Sequence, residues 1–550
     1  MQRLTQLFAP KMREYRMQSD FSFAYQKGEH MNGTIKCLLA GAALLAAVLP
    51  ASAETLRWGA SRDIGSLDPY SYGDSFTLGV LNHVYEGLVR YDRNLKIEPA
   101  LAVSWEIVSP TTWRFKLREG VKFHNGADFT AEDVQASLKR ASDPKSPLKG
   151  NIPAYKASRV IDARTIEIDV TENYPLLLND LTTIYIFDAD WLKDNKAEAP
   201  TDVGSGVEGY ATYHANGTGP FKVESRQPDA KSVFVKFDGW WDKPVHNLDR
   251  IEFTPIASDA TRVAALLAGD IDFTDKAPVQ DIPRLEQSPN VKLLEGTDLR
   301  TVMLGFSQRD QLMSGAPNPM KDVRVRQALQ LAIDLDLIQK RVMRGKSRNA
   351  GTLVAPPIPG YDAALDVPVK ADPDKAKALL KEAGYKGEKI RLMPLPYGET
   401  WQRWAEAVKQ NLEEVGIPID IESADVAGWN QRTSNWDYDI AFTYLYQNGD
   451  PAIGVDRNYK TSQIAKGNPF NNVEGYSNPE LDKLFDEAAV AYPVAKRHMY
   501  DRAQKILQTD VPVAWLLELG FPTVYNCKVQ DIVTTASGLP ESMRDAWIKK

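Results

Sequence analysis

Cysteine is almost missing from this 550-residue chain, with Cys37 and Cys527 the only two. Cys37 falls in an N-terminal apolar run that reads as a removable leader, so the remainder keeps one thiol and no internal disulfide. Histidine is scarce as well. The six, at positions 30, 83, 124, 214, 246 and 498, do not cluster, and with a lone cysteine they give a zinc site no ligand set. Basic charge is not in excess: 66 Lys and Arg stand against 73 Asp and Glu, a formal net charge of −7. A phosphate-backbone partner favours the opposite sign, so no nucleic-acid partner is expected. No Gly-rich phosphate loop follows a strand. Past the leader there is no apolar run of membrane-spanning length, no internal repeat and no low-complexity tract.

Hydrophobic content of 43% and charged content of 25% are ordinary for a globular protein. The length exceeds what one hydrophobic core supports and predicts two or three lobes. From Lys36 the chain reads KCLLAGAALLAAVLPASAET. A basic residue, an apolar run from Cys37 to Leu49 and the small residues Ala51-Ser52-Ala53 follow the order of a secretory signal peptide. Cleavage is expected after Ala53, leaving Glu54 first, and Met31 is the expected true start. Thr34-Ile35-Lys36 before Cys37 do not suit a lipid anchor. Export without disulfides fits a bacterial periplasm and a protein stabilised by the size of its core.

Strand-like and helix-like patterns alternate along the chain, which predicts an α/β construction. TLRWGA opens as a strand and runs into the turn-rich SRDIGSLDPYSYGDS. TWRFKLREGV alternates inward Trp113, Phe115 and Leu117 with outward Arg114, Lys116 and Arg118. DPDKAKALLKEAGY and WQRWAEAVKQNLEEVGI are helices closed by Gly384 and Gly416. Pro/Gly-rich joints fall at 315–320 and 354–361, yet no clean linker divides the chain, so the lobes are expected to share strands and to cross over.

GVKFHNGADFTAEDVQASLKRA, with His124, Asp128, Glu132 and Asp133, is the most reactive-looking stretch. Thr130 can cap a helix with Asp133 completing a capping box, while Ala131, Val134, Leu138 and Ala141 share a face. Asn125-Gly126 marks a turn. A structural role accounts for every acid there. Tyr72-Gly-Asp-Ser75 resembles the nucleophile block of GDSL hydrolases, but no histidine has an aspartate three residues before it to serve as base. No catalytic residue, metal or cofactor is therefore expected.

The motifs PALAVSWE, TWRFKLREGVKFHNGADFTAEDVQASLKR, GTGPFKV, GDIDF, DVRVRQALQLAIDLDLI, DPDKAKALLKEAGY and YSNPELDKLFDEA occur in that order. As an ordered set they resemble the dipeptide/oligopeptide class of periplasmic solute-binding proteins of ABC importers, extracellular solute-binding protein family 5. The resemblance spans about 54–545. It implies a two-lobed α/β periplasmic-binding-protein fold (type II-like) with hinge crossovers and an extra small subdomain. The first lobe would take 54–298 plus 514–550, with the subdomain near 98–216, and the second lobe 299–513. It further implies two partners, a peptide or small-molecule ligand between the lobes and the permease subunits in the inner membrane, and a monomeric protein.

The same resemblance puts ligand contacts in three loops: Ser71 to Ser75, Pro396-Tyr397-Gly398, and Tyr446 to Asp450. The residues expected to touch ligand are Tyr72, Ser75, Tyr397, Trp429, Tyr446, Gln447, Asn448 and Asp450. Two departures bear on the ligand. Dipeptide binders of the class place an acid on the peptide amine where YQNGDP has Gln447, and an arginine on the carboxylate where MPLPYG has Leu395. Losing both lowers free dipeptides and raises a longer or modified peptide, an opine-like or a sugar-like solute. From a different class, the alternative is a secreted serine esterase using Ser75.

Overall fold

The segment TLRWGA forms the strand Thr55–Ala60, and its neighbours explain its apolar face. The computed structural model describes residues 54–549 apart from 73, 93–95, 202–206, 275–276, 295–299, 357, 359, 447–449, 468, 519–521 and 533–542. Thr55–Ala60 lies within a seven-stranded sheet, parallel to Arg250–Pro255 on one side and to Phe273–Thr274 on the other. Trp58 is sealed there, edge-on to Phe253 and Phe273 with ring centroids 5.3 and 5.2 Å away. Fully burying one such aromatic contributes about 1.5–3 kcal/mol.

A second, six-stranded sheet runs in the order Arg348–Asn349, Val513–Glu518, Arg300–Phe306, Ile440–Tyr446, Ile390–Met393, Ile419–Ile421. The helix Glu399–Glu414 buries Trp401, Trp404, Ala405, Val408 and Leu412 in the core beside this sheet. The sheets nucleate separate cores, as a chain of this length requires. Val513–Glu518 is buried along its whole length and pairs antiparallel with Arg300–Phe306. The chain therefore returns to the first sheet between Glu518 and Thr523, a few residues later than the edge expected at 513–514. That strand needs the second sheet to satisfy its backbone.

A four-stranded antiparallel sheet, Ala102–Ser109, Thr112–Leu117, Thr165–Val170 and Tyr155–Asp162, carries the helix Ala131–Ala141. In that helix the Thr130 N–H donates to Asp133 Oδ2 at 2.7 Å, and Asp133 Oδ1 accepts from the Ala189 N–H at 2.8 Å. Burial pushes the Asp133 carboxyl up to about 6. His124 faces the segment Gly217–Pro220: its Nε2 lies 3.0 Å from the Gly219 carbonyl and its Nδ1 accepts from the Gly217 N–H at 3.3 Å. Burial lowers it to about 4, so the ring is neutral at physiological pH. A Cβ on Gly217 would stand 2.0 Å from the Val84 carbonyl oxygen, so only glycine lets this turn approach.

Arg140, at the end of the helix, pairs in two-pronged fashion with Asp68 (2.5 and 2.6 Å), both side chains being almost wholly buried. Asp68 also accepts from the Ser71 hydroxyl and, at 3.0 Å, from the Tyr70 N–H. The small sheet and the turn after the first strand are thus one unit. In the second lobe Glu474 is buried with Oε2 lacking a hydrogen-bond partner. Burial pushes it up to about 7, against the pull of Arg309.

Two outcomes follow from these buried charges. Arg140→Ala strands the Asp68 carboxylate and is expected to destabilise the protein by about 3–5 kcal/mol, read from denaturant midpoints. Because Glu474 is raised above the ordinary glutamate value of 4.5, its favourable contribution is complete below that value and is lost as pH rises through about 7. Glu474→Gln is expected to gain on the wild type by about 3 kcal/mol between pH 4.5 and 8, in unfolding curves at both pH values. A constant difference between the two proteins across that range would refute the assignment.

Candidate ligand-binding cleft

Arg62 follows the central strand of the first lobe and crosses to the second. Its guanidinium pairs with Asp74 and lies 4.5 Å from the Phe76 ring centroid and 5.7 Å from that of Tyr397. Burial opposes its charge, but Asp74 outweighs that, and Arg62 titrates above its usual value. Asp74 is held in place because it caps the helix Ser75–Leu81: Oδ1 accepts from the N–H groups of Phe76 (3.1 Å) and Thr77 (3.2 Å). Its Oδ2 is shielded from water and has no hydrogen-bond partner among the described residues. The Tyr72 ring lies where a side chain on Gly65 would be, 2.2 Å from that ideal Cβ. Burial raises the Tyr72 phenol, and Asp74 raises it further.

On the facing wall, aromatic rings pass from one to the next. Tyr397 stands 6.5 Å from Trp401 and 6.4 Å from Tyr444, and Tyr444 is 5.4 Å from Phe470. Burial holds the Tyr397 phenol well above its ordinary value, with the Tyr444 hydroxyl facing it and Arg62 pulling the other way. Beyond this wall, Ala452 and Ile453 of the second-lobe loop pack against the first core. Nearby, Asp180 of the first lobe is buried with neither carboxylate oxygen hydrogen-bonded. Burial raises it far above the usual aspartate value; the Tyr174 hydroxyl eases this and Asp450 of the second lobe adds to it.

The residues expected from sequence divide into groups. Tyr72 and Tyr397 meet around Arg62 and Asp74. Ser75 is the first residue of its helix, and none of the five described histidines is hydrogen-bonded to it: His83, for instance, accepts from the Met543 N–H at 2.9 Å and contacts the Val80 carbonyl. Trp429 corrects the expectation, since it is fully enclosed in the second core behind Phe470, 5.9 Å away, and supports the wall without forming it. Asp450 is also otherwise engaged. Its Oδ2 accepts from Lys496 Nζ at 2.5 Å and its Oδ1 from the Ala452 N–H at 3.0 Å, so it fixes the loop. Tyr446 closes its strand opposite Arg300, and Gln447 and Asn448 lie outside the described residues.

Arg62, Phe76 and Tyr444 escaped the sequence reading. Tyr444 had a signal: in IAFTYLY it shares a face with Phe442, which packs on Trp404 at 6.1 Å, and it stands closer to the strand end. Among the described residues no group of three or more His, Cys, Asp or Glu is arranged to hold a metal ion, and no helix is long and apolar enough to cross a membrane.

Two α/β lobes meet where Arg62 of the first faces Tyr397 and the aromatic rings of the second, the arrangement expected of a solute-binding protein of the periplasmic type. The family model for bacterial extracellular solute-binding proteins, family 5 Middle, matches residues 96–466, and the chain belongs to that family. It is 29% identical over 478 residues to the glutathione-binding protein GsiB of Escherichia coli, covering 81% of this chain and 85% of the relative. Among solved structures it resembles the periplasmic binding protein AgaA of A. tumefaciens R10 in complex with agropinic acid. The TM-score is 0.79 at 24% identity, over 90% of this chain and 99% of that one. The Helicobacter pylori ABC transporter-associated periplasmic binding protein DppA, in complex with peptide STSA, gives a TM-score of 0.79 at 24% identity, over 90% and 98%. These likenesses carry the two-lobed fold, and the family carries the role of an extracellular solute-binding receptor in transport.

The buried Asp180 makes one expectation for this interface. Its raised titration favours the folded form at low pH and is lost as pH climbs from the ordinary aspartate value of 3.8. Asp180→Asn is therefore expected to melt higher than the wild type at pH 8, by about 1–3 kcal/mol of stability, with the gap closing near pH 4.

Proposed function

We propose that this protein captures a peptide or peptide-like solute between its lobes and delivers it to the membrane permease of an ABC importer. The observation that carries the reading is the contact of Arg62, from the first lobe, with Tyr397, from the second: both lobes supply walls to one aromatic site. A solute touching both walls shifts the population toward the closed form, which the permease then recognises. Enclosure allows tight binding with few polar anchors. No bond chemistry is involved. The protein works as a monomer in the periplasm, after removal of residues 1–53 by cleavage behind Ala53. The lobes are best taken as 54–298 with the C-terminal part, and 299 to the return after Glu518.

A second reading is an opine-like solute. It is favoured by the fold shared with the agropinic acid complex of AgaA and by Gln447, a neutral residue where dipeptide binders of the class carry an acid.

Denaturing the purified protein and analysing the supernatant by mass spectrometry identifies the bound solute. A thermal-shift series with glutathione and agropinic acid follows, since binding to the folded state raises its melting temperature. Tyr397→Ala is expected to reduce the shift by at least about half, while His124→Asn leaves solute affinity near that of the wild type. Ester hydrolysis that disappears in Ser75→Ala would sink the receptor-only reading.

A further inference from the structure

The charge carried by the solute can be read from which cationic groups of the cleft already have partners. Four buried arginines each have a carboxylate or carbonyl partner within the protein, although Nε of Arg226 lacks a hydrogen bond. Arg140 pairs with Asp68, Arg262 with Asp259 and the Ile256 carbonyl, and Arg226 with Asp63 and the Ile64 carbonyl. Arg326 donates to the carbonyls of Met320, Asp510 and Val511. Arg62, on the first-lobe wall, is neutralised by Asp74.

Arg457 departs from this pattern. It lies in the helical turn Asp456–Asn458, just after the loop whose Ala452 and Ile453 pack on the first core. Its Nε is shielded from water without a hydrogen-bond partner, and among the described residues no carboxylate pairs with it. Asp456, the adjacent acid, is turned to the Tyr500 hydroxyl at 3.0 and 3.1 Å. None of residues 447–449 (Gln, Asn, Gly) carries a charge. The group that most favours its charge is the hydroxyl of Tyr444, in the aromatic wall, while burial pulls the guanidinium below its usual value. A guanidinium withdrawn from water without a counter-charge is costly, and a carboxylate docked on its planar fork removes that cost. The first-lobe wall offers the complement, the unused Oδ2 of Asp74, an acceptor waiting for a donor.

We propose that Arg457 is the anion subsite of the cleft: the solute carries a carboxylate that pairs with this guanidinium, and it presents an N–H or O–H donor to Oδ2 of Asp74. The inference rests on the receptor reading above and narrows it to small carboxylic acids bearing donor groups, such as peptides and opines. Neutral sugars are left out. It also revises the loss of charged anchors at Gln447 and Leu395. The acid has moved to the first lobe and the arginine to the turn after the second-lobe loop.

The test compares wild type, Arg457→Gln and Arg457→Lys, each checked for an unchanged circular-dichroism spectrum. Glutathione, agropinic acid and their methyl esters are titrated by calorimetry, and the solute released on denaturation is identified. An acid that binds the wild type should bind Arg457→Gln about ten- to a hundredfold more weakly, with part of the loss restored in Arg457→Lys. Its ester should bind both proteins equally and weakly. Equal affinity of the acid for wild type and Arg457→Gln overturns the subsite and leaves the receptor reading standing. If neither probe binds, a released solute with a carboxylate supports the proposal and one without overturns it. Finding no bound solute and no binding probe overturns the receptor reading, and the subsite with it.

Discussion

The two-pronged pair between Arg140 and Asp68 holds together the parts on which the cleft depends. Asp68 belongs to the turn that leaves the central strand of the first sheet, and Arg140 to a helix on the small antiparallel sheet. Ser71 binds the same carboxylate and accepts in turn from the Thr201 N–H at 2.9 Å. Tyr72 follows Ser71 directly, and its place over Gly65 is inherited from this anchorage. A buried ion pair is expensive to desolvate, so its use here fits a need for one fixed geometry more than a need for stability.

From that fixed turn the charge arrangement of the cleft follows. Arg62 would be an unpaired cation without Asp74, and Asp74 is oriented by capping the next helix. One oxygen of Asp74 is used up in doing so and the other is left free. The facing wall is mostly aromatic, which suits a site that must grip solutes of variable shape with rigid apolar surface and few fixed charges. The sites that look most reactive in sequence are instead consumed locally: Asp133 in a cap, His124 on the Gly219 carbonyl, Asp450 on Lys496.

How far the molecule could be read in advance differed by type of feature. Periodicity revealed the helix Pro373–Ala383 and the strand Thr112–Leu117, because both bury one face and their patterns are local. The burial of Trp429 was not legible: an aromatic in a helix looks the same whether it faces a cleft or a core. Asp450 looked like a ligand anchor for lack of any sign that Lys496, forty-six positions later, would claim it. Arg457 was overlooked for the converse reason, since lacking a carboxylate partner among the described residues is a statement about every other such residue in the neighbourhood.

By itself the sequence determined the alternation of strands and helices, the capped helix after Thr130 and, through an ordered motif set, the family. These rest on spacing and on interactions within a few residues. The tertiary structure alone decided which charges are neutralised by partners far off in the chain, because pairings such as Arg57 with Asp272 and Arg348 with Glu518 join residues 215 and 170 positions apart. Electrostatic energy depends on distance in space and on exclusion of water, and neither is written in the order of residues.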